Sequence, residues 1–254
     1  MNWKDKLVWN LERFGLAPPK RFLNRSDVRP VLVNSIPKSG THLLESLLCK
    51  NNVYYRRLLP TYNPRIHSID ILTTQIARMQ KGEVLFSHFP YSATLDRSLK
   101  DHDVASIFLL RDPRDIVISN AHFIPTLKKH VHFRALAHLT FDERLDILIR
   151  GSESLEVPSI FEKYEPFVPW VEHADLVLRF ETLSKNASAE VKEESMRKIM
   201  DLTGAIFSWK DTKTDSTQNT TFRKGISGEW SSILNEEQKT LFYENSVIRS
   251  LGYR

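Results

Sequence analysis

"VLVNSIPKSGTHLL", residues 31–44, runs from an apolar segment through Pro37, Lys38, Ser39, Gly40 and Thr41 into a pattern with helical spacing. A strand that turns at once into a helix aims backbone N–H groups and a helix N-terminus at one point, which suits an anion and most often a phosphate. Taken alone, the same residues also read as an ordinary turn, with Pro37 fixing φ and Ser39 or Thr41 capping the helix. The rest of the chain has to decide between the two.

Short apolar runs at 31–35, 83–87, 104–110 and 175–180 read as buried strands, and periodic segments separate them. That alternation predicts an α/β domain of three layers, with a mainly parallel central sheet flanked by helices. Helices are expected near 42–51, 66–81, 115–128, 141–150, 158–172, 187–203 and 236–250, and a long loop over 204–229. In a parallel sheet, ligands bind beyond the carboxyl ends of the strands. Lys38 follows the first expected strand, His88 the second and Arg111 the third.

Two further clusters tip the balance toward the anion site. "LLRDPRDIVISNAHF", residues 109–123, places Arg111 at a strand end and Ser119 about two turns into the next helix. A guanidinium there can grip a phosphate through two oxygens, or pair with Asp112 or Asp115 instead. "TFRKGISGEW", residues 221–230, adds Arg223, Lys224 and Gly225 in a polar loop. The three clusters supply cations for two separate phosphates. Nucleotide triphosphatase loops carry lysine after the last glycine of G-x-x-x-x-G-K-[ST], whereas Lys38 precedes the glycine here.

The 254 residues suit a single domain, 1–254, with residues 1–29 as a helical extension packed on it through Trp3, Leu7, Leu11 and Phe14. The formal charge of +5 favours anionic partners but falls short of a nucleic-acid footprint, so no nucleic acid is expected. No apolar run approaches a membrane span, and the N-terminus lacks the apolar core of a signal peptide. A single cysteine, Cys49, suits a reducing, cytoplasmic setting. Three N-x-S/T sequons, at Asn24, Asn186 and Asn219, then read as chance matches. His122, His130, His132 and His138 invite a metal reading, but they form no tight set with cysteines or carboxylates. They are expected on the acceptor side, and no metal is expected.

"PKSGT", "RDPRD…S" and "RKGISGEW", in this order and spacing, resemble the cytosolic-type sulfotransferases, from about residue 30 to the C-terminus. These enzymes move a sulfuryl group from 3′-phosphoadenosine 5′-phosphosulfate (PAPS) to a hydroxyl or amine and release 3′-phosphoadenosine 5′-phosphate (PAP). The resemblance implies that Lys38, Ser39, Gly40, Thr41 and His42 hold the 5′-phosphosulfate, with Lys38 also on the bridging oxygen. Arg111 and Ser119, joined by Arg223, Lys224 and Gly225, would hold the 3′-phosphate. Phe180, in "LVLRFETL", matches the aromatic residue that approaches the adenine, and His88, in "LFSHFPYS", matches the base. Lys38 and His88 are thus the catalytic candidates.

Three departures stand beside this likeness. The family often reads P-K-S-G-T-T-W, and His42 and Leu43 stand at those last two positions. Many animal members carry a lysine two residues before the histidine, where this chain has Phe86. The K-T-V dimerisation motif has no clear counterpart in "SSILNEEQKTLFYE", which favours a monomer. The expected acceptor is a small-molecule alcohol or phenol, or failing that a glycan, in a pocket drawn from 54–72 and 124–170. Tyr54, Tyr55, Tyr62, Phe123, Phe133 and Phe141 are candidate walls, and Arg56, Arg57, Lys128 and Lys129 leave room for a polar or anionic acceptor. The competing functions are a kinase-like phosphotransferase and a PAP-binding relative without activity.

Overall fold

The structure is a computed structural model and describes residues 28–50, 54–56, 61–206 and 225–253. The expected N-terminal helix, Arg57, residues 207–224 of the expected loop with Arg223 and Lys224, and the sequons at Asn24 and Asn219 lie outside the described residues. Five strands form one sheet: β1 (Val31–Ser35), β2 (Tyr55–Arg56), β3 (Glu83–Ser87), β4 (Ala105–Leu110) and β5 (Leu176–Arg179). Their order is β2-β3-β1-β4-β5, and every pairing is parallel. Val31 pairs with Val84 on one side and Ala105 on the other, so β1 is central.

The chain adds helices α1 (Thr41–Lys50), α2 (Ile69–Ile76), α3 (Ala93–Asp101), α4 (Pro113–Phe123), α5 (Phe133–Leu136), α6 (Phe141–Arg150) and α7 (Ile160–Tyr164). Beyond these come α8 (Trp170–His173), α9 (Phe180–Leu183), α10 (Ala189–Thr203), α11 (Trp230–Ile233), α12 (Glu236–Glu244) and α13 (Ser246–Ser250). The near-continuous apolar strands follow from burial on both faces, because side chains alternate along a strand. Val31, Val33, Phe86, Ile107 and Leu109 pack with Leu44, Leu47 and Leu48 of α1 and Ile199 of α10. Leu32, Leu85, Phe108 and Leu110 point the other way, against Leu72 of α2, Leu95 of α3, Ile116 of α4 and Trp170 of α8. Each fully buried aliphatic side chain contributes about 1.5–3 kcal/mol. The three expected layers are therefore present.

The differences from the sequence reading have local causes. The two-residue edge strand β2, which pairs Tyr55 with Glu83, is too short to show a periodicity. Helix α3 was not expected, yet Ser92 caps it by accepting from the Leu95 N–H, and Leu95 and Leu99 form its buried stripe. The helix expected over 158–172 is broken, because Pro166 and Pro169 cannot supply the N–H groups a continuous helix needs. The helix expected over 115–128 ends at Phe123, just before Pro125.

A candidate donor and acceptor site at the strand ends

Lys38, His88 and Arg111 all stand just past the carboxyl ends of the three central strands, and all three line one cavity of about 200 Å³. In the turn after β1, Lys38 adopts φ +76 and Gly40 φ +92. A lysine in the left-handed region costs of order 1–3 kcal/mol, a strain that concentrates at functional sites. The turn's hydroxyls do not serve as simple helix caps. Thr41 Oγ1 is hydrogen bonded to Ser35 Oγ at 2.8 Å, and the buried Ser39 Oγ has no partner. The Gly40 carbonyl starts α1 by accepting from Leu43 and Leu44. Thr41, His42 and Leu43 line the cavity with Lys38 and Gly40; Ser39 does not line it. The Lys38 ammonium lies 3.7 Å from the Phe123 ring centroid.

Arg111 is 8% exposed, and this decides its reading, since a buried charge without a counterion is costly. It forms no salt bridge with Asp112 or Asp115. Its two terminal nitrogens donate to the carbonyls of Lys38 and Ile226, both at 3.2 Å, and its Nε has no partner. Asp112 is taken instead by the buried Arg114, which grips both carboxylate oxygens at 2.8–3.1 Å. The Phe180 ring lies under Arg111, 4.3 Å from the guanidinium carbon, and Ser119 lines the cavity from α4.

Asp115, Arg114 and Asn186 hold the late loop against this cavity, a role not read from the sequence. Asp115 accepts from the Gly228 N–H at 2.7 Å and the Trp230 N–H at 3.2 Å, while Arg114 stacks on Trp230. Burial pushes the Asp115 carboxyl up, opposed by the Gly228 N–H and the charge of Arg111. Asn186 clasps Ser227, donating to its carbonyl at 3.0 Å and accepting from its N–H at 3.2 Å, and the Lys185 N–H bonds the Gly225 carbonyl. In the sequence Asn186 stands out only as part of a sequon, read as a chance match. Glu181 ties β4 to α9 by accepting from the Asp112 N–H at 2.8 Å. Asn186→Ala is expected to raise amide exchange at 225–228, because the loop loses both main-chain bonds to Ser227. Unchanged exchange would remove Asn186 from the clasp.

His88 leaves β3 at its ligand end and is held by main chain. Its Nδ1 lies 2.7 Å from the Ser35 carbonyl oxygen, which can only accept, so Nδ1 carries the proton and Nε2 the lone pair. Burial holds the imidazole below its ordinary pKa; the His42 charge adds to this and the Ser35 carbonyl opposes it. Buried Asn34 fixes the strand exit by accepting from Ser87 Oγ and the Phe89 N–H and donating to the Phe89 carbonyl. Asn34→Ala takes the partner from the Ser87 hydroxyl and the Phe89 N–H, while the Phe89 carbonyl keeps the Trp170 Nε1–H, and it is expected to cost about 1–3 kcal/mol of unfolding free energy, measurable by chemical denaturation.

His88 also lines a second cavity, of about 530 Å³, and among the described residues the two share only Pro37 and His88. Much of its wall comes from 63–66, 129–132 and 158–167, which fall in the stretches expected for an acceptor pocket, while Ile36, Pro90, Ile116 and Asn120 line it from outside them. The expected aromatic walls are not there. Tyr54 and Tyr62 are buried in the two cores and Phe123 lines the first cavity, while Tyr164 and Phe167 line the second. Of the four clustered histidines, His130 and His132 line this cavity; His122 packs on Phe141, and His138 is exposed.

The sulfotransferase domain model matches residues 29–245. The chain belongs to the sulfotransferase family. This sulfotransferase is 23% identical to sulfotransferase 1 family member D1 of Rattus norvegicus, over 87% of the chain and 84% of the relative. It is 22% identical to flavonol 3-sulfotransferase of Flaveria bidentis, over 92% and 86%. The crystal structure of mouse sulfotransferase SULT7A1 complexed with PAP superposes with a TM-score of 0.60 at 20% identity, covering 94% of this chain and 95% of that one, so the two share a fold. Among the described residues of the sulfotransferase, no helix is long and apolar enough to cross a membrane.

Proposed function

We propose that this sulfotransferase takes the sulfuryl group from PAPS and delivers it to a hydroxyl of a small organic acceptor, with His88 as the base. The observation that carries the reading is the place of His88 on the wall common to two cavities, with Nδ1–H given to a carbonyl and Nε2 left basic. The residues of the first cavity suit an anionic nucleotide: Arg111 is buried without a carboxylate partner and has a spare Nε. Lys38, Gly40, Thr41 and His42 would hold the 5′ end, and Arg111, Ser119 and Gly225 the 3′-phosphate, with Arg223 and Lys224 joining from outside the described residues. Phe180 and Leu43 would flank the base of the nucleotide, Leu43 standing where the family often has tryptophan.

Transfer of this kind is an in-line displacement governed by positioning and charge stabilisation. The acceptor oxygen gives its proton to His88 Nε2 and bonds to sulfur as the sulfur–oxygen bond to PAP breaks, the electron pair leaving with PAP. Lys38 and Arg111 offset the charge that gathers on the departing side. The reading makes the chain a cytoplasmic enzyme of one domain. Thermal melting with PAP, and separately with ATP and magnesium, tests it: PAP should raise the melting temperature and Mg-ATP should do so less. A larger shift with Mg-ATP would favour a kinase-like phosphotransferase. No shift with PAP would end the proposal.

A further inference from the structure

We propose that the second cavity selects an acceptor bearing an anionic group, a carboxylate, sulfate or phosphate on an apolar organic body, besides the hydroxyl it presents to His88. The inference rests on the sulfotransferase reading of the same site and narrows its acceptor. The cavity's charges are of one sign: Arg65, Lys129 and Lys163 line it, and no Asp or Glu does so among the described residues. None of the three cations forms an ion pair there among the described residues. Glu162 is the nearest carboxylate to Lys163 in sequence, but it closes the start of α7 by accepting from the Ser159 N–H at 2.7 Å and the Ser159 hydroxyl at 2.8 Å. Burial, and next the charge of Arg65, bring the Lys163 ammonium down to about 8. An anion between the two cations offsets both effects.

Two histidines complete the site as neutral donors. His132 is 6% exposed, and its Nε2 is buried in the cavity wall with no partner. His130 Nδ1 accepts the His132 backbone N–H at 3.2 Å, which leaves the proton of the neutral ring on Nε2. Burial holds both at about 4, with the charges of Lys163 and Arg65 adding to the effect, so at neutral pH they offer hydrogen bonds and not charge. Asn63, Asn120 and Tyr164 also line the cavity, and the rest of the wall is apolar, with Ile116, Ile160 and Phe167 inside and the exposed Ile66 and Val131 at the rim. A bare inorganic anion uses none of that surface, and a neutral alcohol uses none of the charge.

The test compares three phenols that share one ring and differ in charge: 4-hydroxyphenylacetate, 4-ethylphenol and tyramine. Each is titrated calorimetrically into the full chain saturated with PAP. The carboxylate is expected to bind at least about tenfold more tightly than either of the others, with the advantage shrinking as salt rises. Lys163→Met should abolish that advantage, Lys163→Arg should retain it, and the PAP affinity of both variants should match wild type, because Lys163 does not line the first cavity. Equal or weaker binding of the carboxylate, no binding by any of the three, or an advantage that survives Lys163→Met overturns the inference. Failure of PAP itself to bind overturns the sulfotransferase reading instead; the three phenols are then compared on the protein without PAP, and the same ranking decides the anion site.

Discussion

His88→Ala is expected to lower turnover by about 10²–10⁴-fold, the usual span for general acid–base catalysis, while PAP affinity stays near wild type. The separation follows from the hydrogen bonding. Nδ1 is committed to the Ser35 carbonyl, and the ring lines the wall between the two cavities, so its loss removes a proton acceptor without removing a phosphate contact. The wild-type rate should also fall in acid. Only the neutral ring can accept a proton, and burial lowers the pKa, so activity is retained through neutral pH and lost as pH falls through a midpoint below about 6.5. Steady-state rates across pH, with PAP titrations alongside, check both parts. A histidine that only packed the strand end would instead lose stability and PAP binding together, with turnover of the folded fraction intact. His122 offers no substitute base, since it lines neither cavity.

Gly40→Ala should be nearly as damaging, by a different route. A Cβ there falls 2.4 Å from Phe180 Cδ2 and 2.9 Å from Cε2, at a φ of +92 that side-chain residues rarely adopt. The backbone strain alone is of order 1–3 kcal/mol. Relief of the overlap requires movement of Phe180, whose ring underlies Arg111. We expect PAP affinity to fall by about 1.5–3 kcal/mol, the scale of a charge-assisted contact, together with a lower melting temperature. Calorimetric titration with PAP measures the first effect. Unchanged affinity would mean that the turn after β1 is not where the donor sits.

How much of this was legible in the sequence depended on the range of the interaction. The central strands and the turn after β1 are local patterns, an apolar run followed by Pro37, Lys38 and Gly40, and they were readable within a residue or two. The convergence of Lys38, His88 and Arg111 was readable too, because a parallel sheet sends every strand end to one side. Contacts between distant segments left no such mark. Asn186 reaches Ser227 across 41 residues and Asp115 reaches Gly228 across 113, and nothing in "SKNAS" or "RDPRD" announces a loop clasp. Asn34 stands in an apolar strand, and nothing next to it in sequence shows that its carboxamide holds Ser87 and Phe89 beside His88. The walls of the second cavity lie partly in the stretches expected for an acceptor but on different residues, since a tyrosine in an apolar stretch reads alike whether it faces a cavity or, as Tyr54 and Tyr62 do, a core.

Among the described residues, the two cavities meet only at Pro37 and His88. If the second cavity takes the acceptor as proposed, mutational drift in the segments 63–66, 129–132 and 158–167 changes which molecule is modified and leaves the donor machinery as it was. A lineage built on this plan is free to diversify its acceptors step by step without passing through inactive ancestors. The same separation lets a protein engineer randomise one wall and keep the other as a fixed, independently assayable half.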